Sequence, residues 1–298
     1  MATALNFTPV LSWFDVAERD LPWRRPGVSA WQILVSEVML QQTPVARVEP
    51  VWHEWVARWP RPRDLAEASA GDAVRAWGRL GYPRRAMRLH ACAVALVERH
   101  GGGVPSSVDE LLGLPGVGEY TARAVACFAF GQDVPVVDIN VRRVLARAAA
   151  GEAEAGNPSP RRDLAAAQKA LESVPGPRRP RLSAGLMELG ALVCTARSPL
   201  CGECPLGDSC AWVAAGRPAW SGPAKRVQRF EGTDRQARGR LMAVLRGESG
   251  PVARAALDVV WPQDPAQRDR ALDSLLVDGL VEQTRDGRFA LAGEGERR

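Results

Sequence analysis

Four cysteines fall within seventeen residues, as Cys194-x6-Cys201-x2-Cys204-x5-Cys210. Thiolates at this density suit a metal ion or an iron–sulfur cluster. Zinc sites usually carry two Cys-x-x-Cys knuckles, and this segment has one. Disulfides are not expected, because the first residues lack the charged start and apolar core of an export signal. Cys92 and Cys127 sit in apolar helical contexts and are expected in the core.

A second candidate lies in Leu114-Pro-Gly-Val-Gly-Glu-Tyr. Pro115 stops a preceding helix, and Gly116 and Gly118 can take φ > 0 and leave no side chain in the way. A tight hairpin between two helices aims free backbone N–H groups outward, which suits a phosphate. Asp138 follows the β-branched run Val134-Pro-Val-Val and stands at the start of another helix. The same residues would also make an ordinary glycine turn and an N-cap. Two further acids interrupt apolar helical runs, Glu37 within residues 30–42 and Glu188 within 181–194. Apolar surroundings disfavour the charged form of a carboxylate, so such an acid can carry a proton near neutral pH. The alternative for Glu37 is an exposed helical side chain.

Helical periodicity supplies the scaffold for these groups. Helices are expected over 9–20, 30–42, 45–59, 64–80, 83–99, 120–130, 140–150, 161–174 and 181–194, with a short one at 108–113. Ser107-x-x-Glu110 is a capping box for that short helix. Trp31, Leu34, Val35, Val38 and Met39 share one side of the second helix. Gly81-Tyr82-Pro83 presents an aromatic on a turn. Beyond the linker Pro218-Ala-Trp-Ser-Gly-Pro223 and the basic pair Lys225-Arg226, helices are expected at 235–247, 252–261 and 266–279. A strand–turn–strand follows over 280–291. This pattern reads as a winged-helix-like module.

The hairpin, the downstream Val-Asp and the cysteine spacing together resemble the helix–hairpin–helix, Gly/Pro-rich, Asp-containing superfamily of base-excision DNA glycosylases. The string Ser36-Glu-Val-Met-Leu-Gln-Gln-Thr43 is similar to that of MutY-type adenine glycosylases in particular. The resemblance covers about residues 8–217. It implies a mostly α fold of two helical domains with an iron–sulfur cluster loop. The expected organisation is an N-terminal helix packing on the cluster domain (1–28), a helical barrel with the hairpin (29–140), the cluster domain (141–217), a linker (218–234) and the module (235–298).

The resemblance also implies roles. Glu37 would donate a proton to the leaving adenine, and Asp138 would stabilise the sugar cation. Tyr120 and Asn140 would orient the sugar or the acids. Arg24 and Glu188 would contact the flipped adenine, Gln42 would lie at the gap it leaves, and Tyr82 would wedge into the duplex. The amides of Gly116 and Gly118 would hold a phosphate, with Arg197 a further candidate for phosphate. Cys194, Cys201, Cys204 and Cys210 would ligate a [4Fe–4S] cluster. Lyases of the superfamily place a lysine where this chain has Tyr120, and its lysines, Lys169 and Lys225, are far from the hairpin. A Schiff-base step is therefore not expected. Pro83 replaces a second tyrosine common in the family, and the last 65 or so residues are too few for the family's Nudix-like lesion reader.

A net charge of +5, a pI near 9.1 and cations that are almost all arginine fit a phosphate-bearing partner. The expected substrate is duplex DNA with adenine opposite 8-oxoguanine or guanine, bound by a cytoplasmic, nucleoid-associated monomer without membrane contact. The alternatives are a thymine- or uracil-mismatch glycosylase, which can also carry tyrosine at the position of Tyr120, and a non-catalytic iron–sulfur DNA-binding protein.

Overall fold

The computed structural model describes residues 5–223 and 229–295. The basic pair Lys225-Arg226 lies outside the described residues. The chain is mostly helical, with one two-stranded sheet among the described residues. Among the described residues no helix is long and apolar enough to cross a membrane.

Contacts gather the chain into two compact units that do not follow its order. Of the described residues, one takes 5–33, 106–112 and 118–223, and the other 34–105, 113–117 and 229–295. The first buries Phe7, Val10 and Leu11 among Val141, Val144, Leu171, Leu182, Leu186 and Leu189. Its N-terminal helix, Thr8–Ala17, packs on Arg179–Leu192. Gly185 permits the approach, because a Cβ there would stand 3.2 Å from Val10 and 3.4 Å from Phe14.

The second unit is built on Val45–Arg58 and Arg84–His100. Trp55 meets Trp59 and Trp77 edge to face, at 4.8 and 5.4 Å between ring centres. This arrangement suits the aromatic quadrupoles while burying large apolar areas. The span 64–80 is not one helix. It forms Pro62–Ala66 and Ala70–Ala76, because Ser69 accepts from the Asp72 N–H while Asp72 reaches back to the Ser69 N–H. That reciprocal capping box starts a new helix inside an otherwise periodic stretch.

The C-terminal module belongs to this second unit. Helices Asp234–Gly247, Arg254–Asp258 and Pro265–Val277 precede strands Val281–Gln283 and Phe289–Leu291. The strands pair antiparallel with Val281 opposite Leu291, and Val252 bridges to Phe289. The new N-terminus made at Ser69 receives the module. The Gly71 N–H donates to the Ala292 carbonyl at 2.7 Å, and Arg75 pairs with the buried Glu294 at 2.6 Å.

Candidate active site

Asp138 is the N-cap of helix Ile139–Ala150. Its Oδ1 accepts from the Val141 N–H at 2.7 Å and its Oδ2 from Asn140 Nδ2 at 2.8 Å. Burial raises its pKa above the usual 3.8, while these hydrogen bonds and the nearby Arg143 work against the rise. The Asp–x–Asn pair is thus locked by local chemistry.

Asn140 passes the constraint inward. Its Oδ1 accepts from Arg143 Nη2 at 2.8 Å, and the same guanidinium donates to the Gly190 carbonyl at 2.6 Å and the Cys194 carbonyl at 2.7 Å. One turn on, Arg147 donates to Cys194 Sγ at 3.5 Å and the Thr195 carbonyl at 2.7 Å, and lies over the Trp212 ring. Two buried arginines on one helix face therefore tie the Asp138 corner to the first cysteine. Gly190 is required, because a Cβ there would come within 2.6 Å of Asn140 Cβ.

The four cysteines form no disulfide and are close enough that Cys194, Cys201 and Cys210 each bear on the Cys204 thiol, which burial pushes up to about 11. No three His, Cys, Asp or Glu side chains among the described residues converge tightly enough for a single metal ion. Four thiols brought together on one short loop are the donor set of an iron–sulfur cluster. Arg197, in the first cysteine loop, is exposed.

Glu188 is fully buried but not in apolar company. Arg19 grips it with Nε and Nη2 at 2.7 and 2.9 Å and with its backbone N–H at 3.1 Å, and Arg24 adds Nη2 at 3.1 Å. Burial alone would raise its pKa, but the hydrogen bonds of Arg19 and Arg24 prevail and hold it near 2. Glu188 is a carboxylate already committed to two arginines, rather than a protonated acid.

Glu37 lies near the end of helix Ala30–Leu40 and is 5% exposed. The residues after it change direction sharply. Gln42 has φ +55°, as Tyr82 has φ +49°, both unusual for a residue with a side chain. Arg85 joins the two turns. Its guanidinium donates to the Val38, Met39 and Gln41 carbonyls at 3.0, 3.0 and 2.5 Å, to Thr43 Oγ1 at 2.9 Å and to the Gly81 carbonyl at 3.1 Å. The carbonyls at the end of a helix have no partner within it, and here one buried cation serves them. Burial lowers the Arg85 pKa to about 10. Tyr82 itself is 43% exposed.

The hairpin joins Val108–Leu112 to Glu119–Phe130. Ser107 caps the first helix as its sequence predicts. Gly116 takes φ +78°, and a Cβ there would strike Arg88 Cβ at 2.6 Å. Gly118 does not use the positive φ open to it. It is extended, at φ −100° and ψ 178°, and serves as N-cap with open space where a side chain would be. Glu119 opens the second helix with its carboxylate paired to Arg123 at 2.6 Å. Tyr120, one residue on, packs partly buried against Ala124, Cys127 and Val136.

Sequence reading missed Arg19, Arg85, Arg143 and Arg147. A signal exists for three of them. Arg85 shares the apolar face of Leu89, Cys92 and Leu96, and Arg143 and Arg147 fall on the buried face of their helix. A cation on the apolar stripe of a helix needs a buried partner. Arg19 leaves no such trace, because it lies between elements.

The described geometry has counterparts among known proteins. Residues 35–169 match the model described as HhH-GPD superfamily base excision DNA repair protein, and residues 194–210 match the iron–sulfur binding domain of endonuclease III. The cysteine segment is thus an iron–sulfur loop. The chain is 63% identical to the adenine DNA glycosylase of Mycolicibacterium smegmatis over 98% of both chains. It is 60% identical to that of Mycobacterium tuberculosis, over 98% of this chain and 95% of the relative. The human adenine DNA glycosylase is 43% identical over 67% of this chain and 38% of its own. Among solved structures, a thermostable thymine-DNA glycosylase matches 70% of this chain and 95% of its own, with a TM-score of 0.63 and 28% identity. An endonuclease III bound covalently to DNA has the same fold, with a TM-score of 0.62 at 22% identity over 73% of this chain and all of its own. The chain belongs to the adenine DNA glycosylase family, within the HhH-GPD superfamily of base excision DNA repair proteins.

Proposed function

We propose that the protein hydrolyses the N-glycosidic bond of adenine mispaired with 8-oxoguanine or guanine in duplex DNA and leaves an abasic site. The observation that carries the reading is Glu37, a carboxylate 5% exposed, in a chain whose full-length relatives are adenine DNA glycosylases. Adenine leaves deoxyribose poorly unless protonated, and its atoms are out of reach inside a stack, so the nucleotide must be flipped out. Glu37 in its protonated form would donate to N7. Breaking the C1′–N9 bond leaves an oxocarbenium-like sugar, which the Asp138 carboxylate would stabilise before water adds. Carboxyl groups with opposite protonation needs are also the logic of glycosidases. Asn140 holds Asp138 from one oxygen, leaving Asp138 less free to turn from the sugar. Tyr120 occupies the position where lyases carry lysine, which supports simple hydrolysis.

Tyr82 would enter the duplex beside the mispair, and Gln42 would face the gap. The amides of Gly116 and Gly118 would hold a backbone phosphate. Arg24 and Glu188 would meet the adenine as a preformed ion pair. Cys194, Cys201, Cys204 and Cys210 would hold a [4Fe–4S] cluster, which when bound supplies a rigid crosslink for the loop that carries Arg197. The basic charge supports action on DNA; the protein would act as a monomer in the cytoplasm, at the nucleoid.

Single-turnover base release from duplexes carrying A opposite 8-oxoguanine, A opposite guanine and T opposite guanine tests the reading. Release from the first two, lost in Glu37→Gln, is the expected result. Release from the T·G duplex alone would move the protein to the mismatch class. No release by cluster-loaded protein would leave DNA binding without catalysis.

A further inference from the structure

We propose that Arg235, carried by the C-terminal module, is a positioning residue for Tyr82, so that the module takes part in opening the duplex at the mispair. The inference rests on the reading of Tyr82 as the residue that enters the duplex.

Tyr82 combines an exposed ring with a backbone at φ +49°. Such a residue needs outside contacts to hold one conformation. Two guanidinium groups supply them. The buried Arg85 lies 5.6 Å from the ring centre, and the exposed Arg235 lies 4.8 Å from it. Arg235 also lies 5.8 Å from the centre of the Phe230 ring, which is 51% exposed. A cation at these distances is attracted by the ring face. Two aromatic rings and a cation, all exposed, form a stack of the kind on which unstacked bases rest.

The position of Arg235 is fixed by its helix rather than by its own long side chain. Arg238, three residues on, pairs with Asp278 at 2.5 Å, and Asp278 also pairs with Arg84 at 3.3 Å, two residues beyond Tyr82. Asp278 thereby ties the first turns of Asp234–Gly247 to the start of Arg84–His100. The Gly71–Ala292 and Arg75–Glu294 contacts hold the module at a second point. An arginine on a helix of a module held at two points can brace a turn that its own sequence leaves strained.

The test uses the full-length, cluster-loaded protein and a duplex with A opposite 8-oxoguanine and the fluorescent analogue 2-aminopurine beside the mispair. Arg235→Ala is expected to weaken the unstacking signal and slow single-turnover release about tenfold, with melting temperature and cluster absorbance unchanged. Arg235→Lys should restore most of both, since an ammonium also sits on a ring face. Because Arg235 acts through Tyr82, adding Arg235→Ala to Tyr82→Ala should cost nothing further. Wild-type unstacking and rate in Arg235→Ala would overturn the proposal. So would an additive loss in the double variant with a salt slope lowered by about one, which is the mark of a simple phosphate contact. If Tyr82→Ala itself leaves unstacking intact, the reading of Tyr82 fails and the proposal with it. A defective Tyr82→Ala beside a normal Arg235→Ala fails the proposal alone.

Discussion

At the scale of single residues, three carboxylates make separable predictions. Glu37 is buried on an apolar helix, and Glu37→Gln should lower adenine release about 10²–10⁴-fold, the range of general acid catalysis, with duplex affinity retained. A filter-binding isotherm beside a single-turnover time course separates the two effects. Asp138 is raised above 3.8 by burial. If its ionised form is the working one, the acid limb of the rate profile should fall at a pH above 3.8, and Asp138→Asn should flatten that limb along with most of the rate. Glu188 is shifted the other way, from 4.5 to about 2. Below pH 4.5 the unfolded chain takes up a proton there that the folded chain refuses. Stability from this group is therefore full above about 4.5 and is lost as pH falls toward 2. Glu188→Gln should cost about 3–5 kcal/mol at pH 7, because it strands two arginines on a buried neutral group. Urea melts at pH 7 and pH 3 should show the cost shrinking at the lower pH.

At the scale of elements, close approaches of backbone decide the packing. Gly190 lets helix Arg179–Leu192 lie against Asn140, where a Cβ would stand 2.6 Å away. Gly190→Ala should therefore disturb the Asp138 corner and the first cysteine together, since Arg143 bonds the Gly190 and Cys194 carbonyls and Asn140. Overpacking of this kind costs about 1–3 kcal/mol. Slower adenine release with reduced cluster content is the expected pair of changes, and loss of either without the other would break the link. Arg85 acts similarly between the turns at Gln42 and Tyr82. Arg85→Lys keeps the charge, but a point donor cannot reach five acceptors spread over two turns. The capping box at Ser69 shows how little sequence is needed to redirect an element. Two polar residues three apart divide a periodic span and create the N-terminus that receives Ala292.

At the scale of the whole molecule, 39 cations against 34 anions leave a surplus that is nearly all arginine. Duplex affinity should fall linearly with log salt concentration, with a slope that counts the phosphates contacted, for matched and mismatched duplexes alike. A steep slope for non-specific DNA with a lesion preference that survives it would assign positioning to phosphates and selection to the site. Cys194, the first of the four cysteines, is tied through Arg143 and Arg147 to the helix that Asp138 caps. Oxidative removal of the cluster should lower the melting temperature and the rate in parallel, because a group that binds only the folded chain stabilises it.

Spacing and period carry what the amino-acid sequence by itself determined. The cysteine segment, the hairpin with its Ser107 cap, the Asp138 N-cap and the apolar helix around Glu37 are local features, set by residues within a few positions of one another. Most helices end near where periodicity, proline and glycine end them. Of the two hairpin glycines only Gly116 uses positive φ, while Gly118 is extended and leaves the start of its helix uncovered. Tertiary structure alone decided the partners of the buried charges. Arg19 and Glu188 are 169 positions apart and Arg75 and Glu294 are 219 apart, and although Glu188 interrupts an apolar run, no local pattern names the partner of either acid. It also decided that the C-terminal module joins the unit of residues 34–105 and brings Arg235 onto Tyr82. Periodicity shows which face of a helix is buried, but the partner on that face is chosen by packing at long range.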